Sequence, residues 1–341
     1  MRVTRETLIR IAKETAQERA FNDKDIVAAY LTGSLVSDSD PMMGGAADID
    51  LILVHASTPM QKRELVKLTP DFHLDIGHRA KAEFKSPREL RGDPWLGYEM
   101  YAPMLLYERE KFFDFVQAVL RAGFEFESPA LTLQRCRKLL THGRQVWIDL
   151  SDIGGKAGPK EVAQYLKSLY HAVNAVCELS GPPIQERRLL LEFPARAEAA
   201  EHPGMAAGVL GLLGANNLEA GQLSDWLTDW RSAFETATGN AKVDGRIHPT
   251  RLNYYEKAIQ SILGGDTPVA ALWPLFQTWT LAAVVLPEEQ AKVWQAARES
   301  LGFAGAGFAE RVEGLDHFLD DVEILLDEIA AANGLETSTT I

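Results

Sequence analysis

The chain has 341 residues, 46% of them hydrophobic and 24% charged, with a formal net charge of −13. This length and balance suit two domains that each bury a core, and they exclude a chain that is disordered by composition. The charge is uneven, because residues 1–150 carry 21 basic and 22 acidic side chains whereas residues 151–341 carry 14 and 26. An acidic second half repels phosphate backbones, so we expect no nucleic-acid partner. It would suit a cationic ligand, or it would only aid solubility.

The N-terminal residues and the apolar segments predict a cytoplasmic protein with no membrane partner. Charged residues interrupt the N-terminus every few positions, unlike a secretory signal. The longest apolar runs fall short of the roughly 20 residues that a membrane helix needs. Cys136 and Cys177 have no Cys or His partner at zinc-site spacing, so we expect reduced, buried thiols.

In chain order, the first third of the sequence predicts strands mixed with helices. Hydrophobic periodicity and turn residues predict a helix over 4–22, a strand over 26–31, a helical turn and loop over 35–47, a strand over 48–54, a connecting helix over 60–68, a strand over 71–78, an edge strand over 104–107 and a helix over 111–122. Polar and apolar residues alternate along 71–78, which predicts one buried and one exposed face.

The remainder of the sequence predicts helices only. Apolar residues recur at spacings of three and four over 131–149, 160–179, 220–238, 251–263, 287–301 and 314–333. The Gly-rich stretch 151–159 suits a linker, so we predict one domain over 1–150 and a second over 151–341. The expected class is therefore α+β, with a small mixed-sheet domain followed by an all-α helical domain.

Three aspartates carry the main chemical signal. Asp48 and Asp50 are two residues apart on a predicted strand, so their side chains point to the same face. Asp75 lies on the polar face of the next confident strand, and if the two strands pair, the three carboxylates converge. Mg²⁺ favours one or two carboxylates together with substrate phosphates and water. The pattern thus predicts a magnesium site, which can hold two ions about 3.5–4 Å apart.

A Gly-Ser pair that directly follows the first strand suits a phosphate-binding turn. Gly33 lets the backbone approach phosphate oxygens, Ser34 adds a hydroxyl, and a following helical turn offers free N–H groups.

The order of these features resembles the DNA-polymerase-beta-like nucleotidyltransferase superfamily. Residues 30–78 contain the apolar strand, Gly33-Ser34, a loop, Asp48 and Asp50 on one strand, and Asp75 on the next. Within that superfamily, a small catalytic domain followed by a helical domain looks like the aminoglycoside and lincosamide nucleotidyltransferases. The resemblance implies that Gly33 and Ser34 hold the triphosphate and that Asp48 and Asp50 ligate Mg²⁺. It implies that Asp75 is a third ligand, the general base, or both.

The loop before Asp48 is longer than this family pattern leads us to expect, because residues 38–46 look like an insertion. The stretch from Asp38 to Gly45 is either a lid over the nucleotide or a longer connection. A solvated turn is the simpler interpretation of Asp38 and Asp40.

Three further residues have open roles. His73 shares a face with Asp75, so it could contact nucleotide or metal, although a hydrogen-bonded structural histidine is the simpler interpretation. Glu99 could be a base near the acceptor, and Lys167 of the second domain could reach the triphosphate.

The expected activity is transfer of a nucleoside monophosphate, most simply AMP from ATP, to a hydroxyl of a small, cationic acceptor with release of pyrophosphate. The alternatives are an enzyme that modifies a partner protein in this way, as in toxin–antitoxin pairs, and a catalytically idle nucleotide-binding module. The sequence leaves open whether the protein is a monomer or a homodimer.

Overall fold

The computed structural model describes residues 3–37, 40–122, 128–151, 157–219 and 221–337. The chain divides into two compact units, Met1–Leu131 and Thr132–Ile341, so the division precedes the boundary expected between residues 150 and 151. The helix over Pro129–Ser151 accounts for this difference, because its side chains contact the later helices. Its Gly143 carbonyl, for example, accepts a 2.8 Å hydrogen bond from the Ser168 hydroxyl. Residues 152–156 of the expected linker lie outside the described residues.

The first unit is built on a five-stranded mixed sheet. Its helices and strands are α1 (Arg5–Asn22), β1 (Ile26–Thr32), β2 (Ala47–His55), β3 (Arg63–Lys67), β4 (Phe72–Ala80), α2 (Leu96–Tyr101), β5 (Met104–Glu108) and α3 (Phe112–Arg121). The spatial order is β3-β4-β2-β1-β5, which confirms the prediction that the last strand is an edge strand. The α+β class is also confirmed.

The direction of the strands brings particular ends together. β1 is antiparallel to β2, and β3 is antiparallel to β4, whereas β2 and β4 are parallel neighbours. The chain leaves β2, forms the edge strand β3, and returns as β4 between β3 and β2. The starts of β2 and β4 and the end of β1 therefore lie at the same edge of the sheet.

The two faces of the sheet are covered differently. Helix α1 begins after the cap residue Thr4, whose side-chain oxygen accepts a 3.3 Å hydrogen bond from the Thr7 amide. Its buried residues Leu8, Ala12, Ala16 and Ala20 recur every four positions and pack against Ile49, Leu51, Leu53, Leu74 and Ile76. The opposite face carries Tyr30, Ile52 and Val54 and packs against Phe84, Met100, Phe113 and Val116. Because side chains alternate along a strand, Asp48 and Asp50 share this second face with Ile52.

The helix expected over 60–68 is wrong, because Arg63–Lys67 forms the strand β3. Glu64 on β3 accepts a 2.7 Å hydrogen bond from Arg19 of α1, and Val66 packs against the α1 side of the core. The alternate residue Arg63 points to the opposite face. Backbone pairing with β4 and these side-chain contacts outweigh the helix propensity of a short charged segment.

The second unit is helical, as expected. Its helices are α4 (Pro129–Ser151), α5 (Pro159–Cys177), α6 (Leu189–Ala199), α7 (Gly204–Leu212), α8 (Gln222–Ala237), α9 (Leu252–Leu263), α10 (Leu272–Ala283), α11 (Glu288–Ser300) and α12 (Gly305–Ala332). The sequence did not predict α6, α7 or α10. Pro194 interrupts the pattern of α6, and every residue of α10 is buried, so α10 has no polar face to reveal its period. Cys136 and Cys177 are free and buried, as predicted.

Among the described residues, no helix has the combination of length and apolar character that crossing a bilayer requires.

Candidate metal and nucleotide site

Three strand ends meet on the sheet face opposite α1. Antiparallel pairing places Thr32, the last residue of β1, opposite Asp50. Parallel pairing places Asp50 opposite Asp75 and Asp48 opposite His73. The two aspartate-bearing strands therefore pair, which meets the condition for their carboxylates to reach one edge of the sheet.

Asp48, His73 and Asp75 form a compact cluster. One ligand atom of each residue lies within 4.8 Å of those of the other two. The three residues are 7%, 1% and 3% exposed, respectively, so the polar face of β4 is buried here rather than open as expected. Ligand atoms that share one ion at about 2.0–2.2 Å lie about 3–4.4 Å apart. Small side-chain rotations would therefore bring these three ligand atoms to distances at which they could bind one ion.

The composition of the cluster differs from the predicted ligand set at one position. His73 takes part in it, although the sequence favoured a structural role for this residue. Asp50 shares the face with Asp48, but its carboxylate lies against the turn at Gly33. The face thus presents two adjacent groups, the Asp48–His73–Asp75 cluster and the Asp50 carboxylate.

Gly33 is required by two features of its surroundings. Its φ angle is +75°, a conformation that disfavours side chains. A Cβ atom at this position would overlap Oδ2 of Asp50. The absence of a side chain therefore lets the turn after β1 approach the Asp50 carboxylate directly.

The turn that contains Ser34 is held by α1. Arg5 donates a 2.8 Å hydrogen bond from Nε to the Leu35 carbonyl and a second hydrogen bond to the Ser37 carbonyl. The Ser34 hydroxyl is buried and has no hydrogen-bond partner among the described residues. Buried hydroxyls are normally hydrogen-bonded, so a ligand oxygen would complete this one.

Arg63 is a site residue that the sequence pattern did not indicate. Its Nε and Nη2 atoms each donate a 2.5 Å hydrogen bond to a different oxygen of Asp75. The Arg63 side chain is 55% exposed, whereas that of Asp75 is 3% exposed, so the cation approaches from the open side. The Pro70-Asp71 turn signal between 63–67 and a confident strand was the clue to a hairpin that would have placed Arg63 here.

The charges of the site suit a divalent cation. Asp48, Asp50 and Asp75 bring three carboxylates to this edge, and the guanidinium of Arg63 offsets part of their charge. Lys67 lies opposite His73 in the β3–β4 register, but it is exposed. Clustered carboxylates repel one another unless cations lie among them. The carboxylate and imidazole groups suit a metal ion, and the buried Ser34 hydroxyl suits a phosphate oxygen, so the site fits a metal–phosphate complex.

Glu99 belongs to a neighbouring ion-pair network on the same face. It accepts a 2.6 Å hydrogen bond from the Tyr30 hydroxyl and hydrogen bonds of 2.8 and 2.5 Å from Arg79. Burial and the Glu99 charge raise the pKa of Tyr30 well above its usual value. Burial alone would lower the pKa of Arg79, but bonding to Glu99 outweighs it and raises that pKa. The contacts indicate a structural role for Glu99 rather than that of a base.

Asp38, Asp40 and Lys167 complete the set of residues whose roles the sequence leaves open. Asp40 is exposed, and its Oδ1 accepts a 2.9 Å hydrogen bond from the Met42 amide, which fits a solvated turn. Asp38 lies outside the described residues. In the second unit, Lys167 is exposed on α5, near the stacked rings of His142 and His171.

Comparison with models of known protein families gave no match, and comparison with curated proteins gave none either.

Proposed function

We propose that the first unit is a metal-dependent nucleotidyltransferase of the polymerase-beta-like kind. The observation that carries this proposal is the meeting of the Gly33-Ser34 turn with Asp50 and the Asp48–His73–Asp75 cluster at one edge of the sheet. A phosphate-binding turn and a carboxylate cluster are the two parts that phosphoryl and nucleotidyl transfer require.

The roles of the residues follow from their positions. The Gly33-Ser34 turn binds triphosphate oxygens, because the backbone at Gly33 can approach them closely and the buried Ser34 hydroxyl can donate a hydrogen bond to one of them. Asp48, Asp50 and Asp75 hold Mg²⁺ or a related divalent ion. Such ions, when bound, polarise the α-phosphate and neutralise the charge of the departing pyrophosphate.

The reaction joins the acceptor oxygen to the α-phosphorus of ATP or another nucleoside triphosphate. The bond between the α-phosphorus and the oxygen bridging to the β-phosphate breaks, and its electron pair leaves with pyrophosphate. The acceptor hydroxyl loses its proton to Asp75, which acts as the base. In the metal-free protein, Arg63 holds both oxygens of the Asp75 carboxylate, and a bound metal ion would take its place.

A small cationic acceptor fits the charge distribution best. Residues 151–341 carry 14 basic and 26 acidic side chains, and an acidic surface attracts amino sugars and similar polyamines. A hydroxyl on such a molecule would accept the nucleoside monophosphate.

Pyrophosphate release tests the proposal. The protein is incubated with the four nucleoside triphosphates, Mg²⁺ or Mn²⁺, and a panel of aminoglycosides and other amino alcohols. We expect pyrophosphate together with a product whose mass exceeds that of one acceptor by a nucleoside monophosphate residue. An absence of pyrophosphate with every acceptor would contradict the small-molecule activity. An added nucleotide on a copurified protein would instead favour protein modification.

A further inference from the structure

We propose that His73 is a metal ligand through a ring nitrogen, and that it makes the site favour a first-row transition divalent ion such as Mn²⁺ over Mg²⁺. This inference deepens the proposed function by naming the ion, and it rests on the same site. It differs from the all-carboxylate site that the sequence predicts.

The backbone places His73 beside the two carboxylates that would bind the ion. The parallel register of β2 and β4 puts His73 directly opposite Asp48, and His73 and Asp75 are two residues apart on one strand. All three side chains therefore project from the same face. The ligand atoms lie within 4.8 Å of one another, and His73 is 1% exposed.

The chemistry of the ligand atoms then determines which ions the site binds more tightly. Mg²⁺ prefers oxygen ligands and gives up its water reluctantly, so an imidazole adds little to its binding. First-row transition ions bind imidazole nitrogen well, and their affinity for mixed nitrogen and oxygen sites rises from Mn²⁺ towards Cu²⁺. Within the Asp48–His73–Asp75 cluster, such ions can bind both carboxylates and the imidazole, whereas Mg²⁺ gains mainly from the carboxylates.

The opposing interpretation is that His73 is a cationic partner for Asp48 and Asp75. A protonated imidazole between two carboxylates would stabilise the metal-free site, and it would repel an incoming ion. Replacing His73 would then tighten metal binding. If His73 is a ligand, the same replacement weakens the binding of transition ions, so the two interpretations predict opposite changes.

Pulsed electron paramagnetic resonance of bound Mn²⁺ distinguishes them directly. Electron spin echo envelope modulation detects ¹⁴N nuclei bonded to Mn²⁺ and requires no turnover. We expect ¹⁴N modulation from the wild-type protein loaded with one equivalent of Mn²⁺. We expect it to disappear in His73→Asn and to persist in His78→Asn, a matched change on the opposite face of β4.

The outcomes that overturn the proposal are specific. Bound Mn²⁺ without ¹⁴N modulation in the wild-type protein would mean that His73 is not a ligand, and so would a failure to bind Mn²⁺. Modulation that survives in His73→Asn and vanishes in His78→Asn would place the ion at the other histidine. The wild-type spectrum alone can contradict the proposal, so the test remains decisive even if a variant fails to fold.

Ion preference provides a second measurement. In competition experiments with Mn²⁺ and Mg²⁺, His73→Asp supplies an oxygen in place of the nitrogen. We expect the ratio of the Mg²⁺ to the Mn²⁺ dissociation constant to fall by about tenfold in this variant. An unchanged or larger ratio would contradict the proposal. Pyrophosphate release is measured separately. If ¹⁴N modulation is present but no turnover is found, only the transferase proposal is contradicted. If turnover is found without ¹⁴N modulation, only the assignment of His73 as a ligand is contradicted.

Discussion

His73 and His78 lie on the same strand, β4, but on opposite faces of the sheet. Nδ1 of His78 is 3.0 Å from Nε2 of His55, so one ring donates a hydrogen bond to the other. His73 instead lies among Asp48 and Asp75. Both histidines are at least half buried, so burial does not separate them.

The difference between these two regions lies in how the neighbouring charges are arranged. Around the His55–His78 pair, Glu64 and Asp25 are 3.8 and 3.5 Å from ring nitrogens, and each also accepts a hydrogen bond from another residue, Arg19 and Ser57, respectively. At the other end of the sheet, Asp75 binds Arg63, and the Asp50 carboxylate lies against the turn at Gly33. The first region thus pairs its carboxylates with histidine, arginine and serine side chains, whereas the second concentrates three carboxylates and one histidine on one face, which suits a cation.

The largest expected effect is that of Asp48→Asn, which removes a carboxylate from the ligand region without changing its shape. We expect nucleotidyl transfer to fall by at least about 100-fold, because the charge that holds the metal is lost. The control is Asp25→Asn, which removes a carboxylate beside His55. Equal losses of pyrophosphate release in the two variants would erase the distinction between the regions.

Gly33→Ala should have the next largest effect, because the turn would lose its approach to Asp50. The positive φ angle costs about 1–2 kcal/mol for a residue with a Cβ, and the overlap with Asp50 adds to that. Gly45→Ala is the matched control, since Gly45 also has a positive φ, of +84°, but nothing lies within 4 Å of its added Cβ. We expect a larger drop in melting temperature and in transfer rate for Gly33→Ala. Identical behaviour would show that only backbone strain matters.

Arg63→Gln tests whether Arg63 and a metal ion compete for Asp75. Loss of two charge-assisted hydrogen bonds to a buried carboxylate should cost about 1–3 kcal/mol in the metal-free protein. Added Mn²⁺ should restore this stability, so the rise in melting temperature on metal addition should exceed that of the wild type. Lys62→Gln, an exposed neighbouring charge change, should match the wild type. An equal rise in all three proteins would refute competition at Asp75.

The smallest effect concerns pH and the His55–His78 pair. Burial and the neighbouring His55 lower the pKa of His78 from 6.5, and Arg19 also lowers it, whereas Glu64 and Asp23 act in the opposite direction. Below pH 6.5, the unfolded chain therefore binds more protons at His78 than the folded protein does. The contribution of His78 to the free energy of unfolding is fully present above pH 6.5 and is lost as the pH falls through the folded-state pKa.

The pH prediction can be checked by histidine ring titration in nuclear magnetic resonance and by hydrogen exchange of β4 amides, corrected for intrinsic rates. In His78→Asn, the protection of β4 should depend less on pH between 7.5 and 5.5. A His78 ring that titrates above 6.5 would reverse the predicted sign.

Much of this arrangement could be predicted from the order of residues, and the exceptions have physical causes. Alternation along β2 and β4 places Asp48, Asp50 and Asp75 on one face, and the parallel register aligns them. Alternation also places His73 on the face of Asp75, but its position opposite Asp48 depends on the β2–β4 register, which no local pattern reports. Arg63 escaped prediction because a five-residue charged strand carries little periodic signal and gains its structure from pairing with β4. The helix α10 escaped for the opposite reason, since all of its faces are buried.

The position of a metal ion is the most direct test of the central claim. Crystals of the protein with Mn²⁺ and a nonhydrolysable nucleoside triphosphate should give an anomalous difference peak at the Mn²⁺ absorption edge. We predict the peak within about 2.3 Å of carboxylate oxygens of Asp48 and Asp75, with the triphosphate against Gly33-Ser34. A peak at His55 and His78 instead, or a triphosphate bound away from the Gly33-Ser34 turn, would contradict the account.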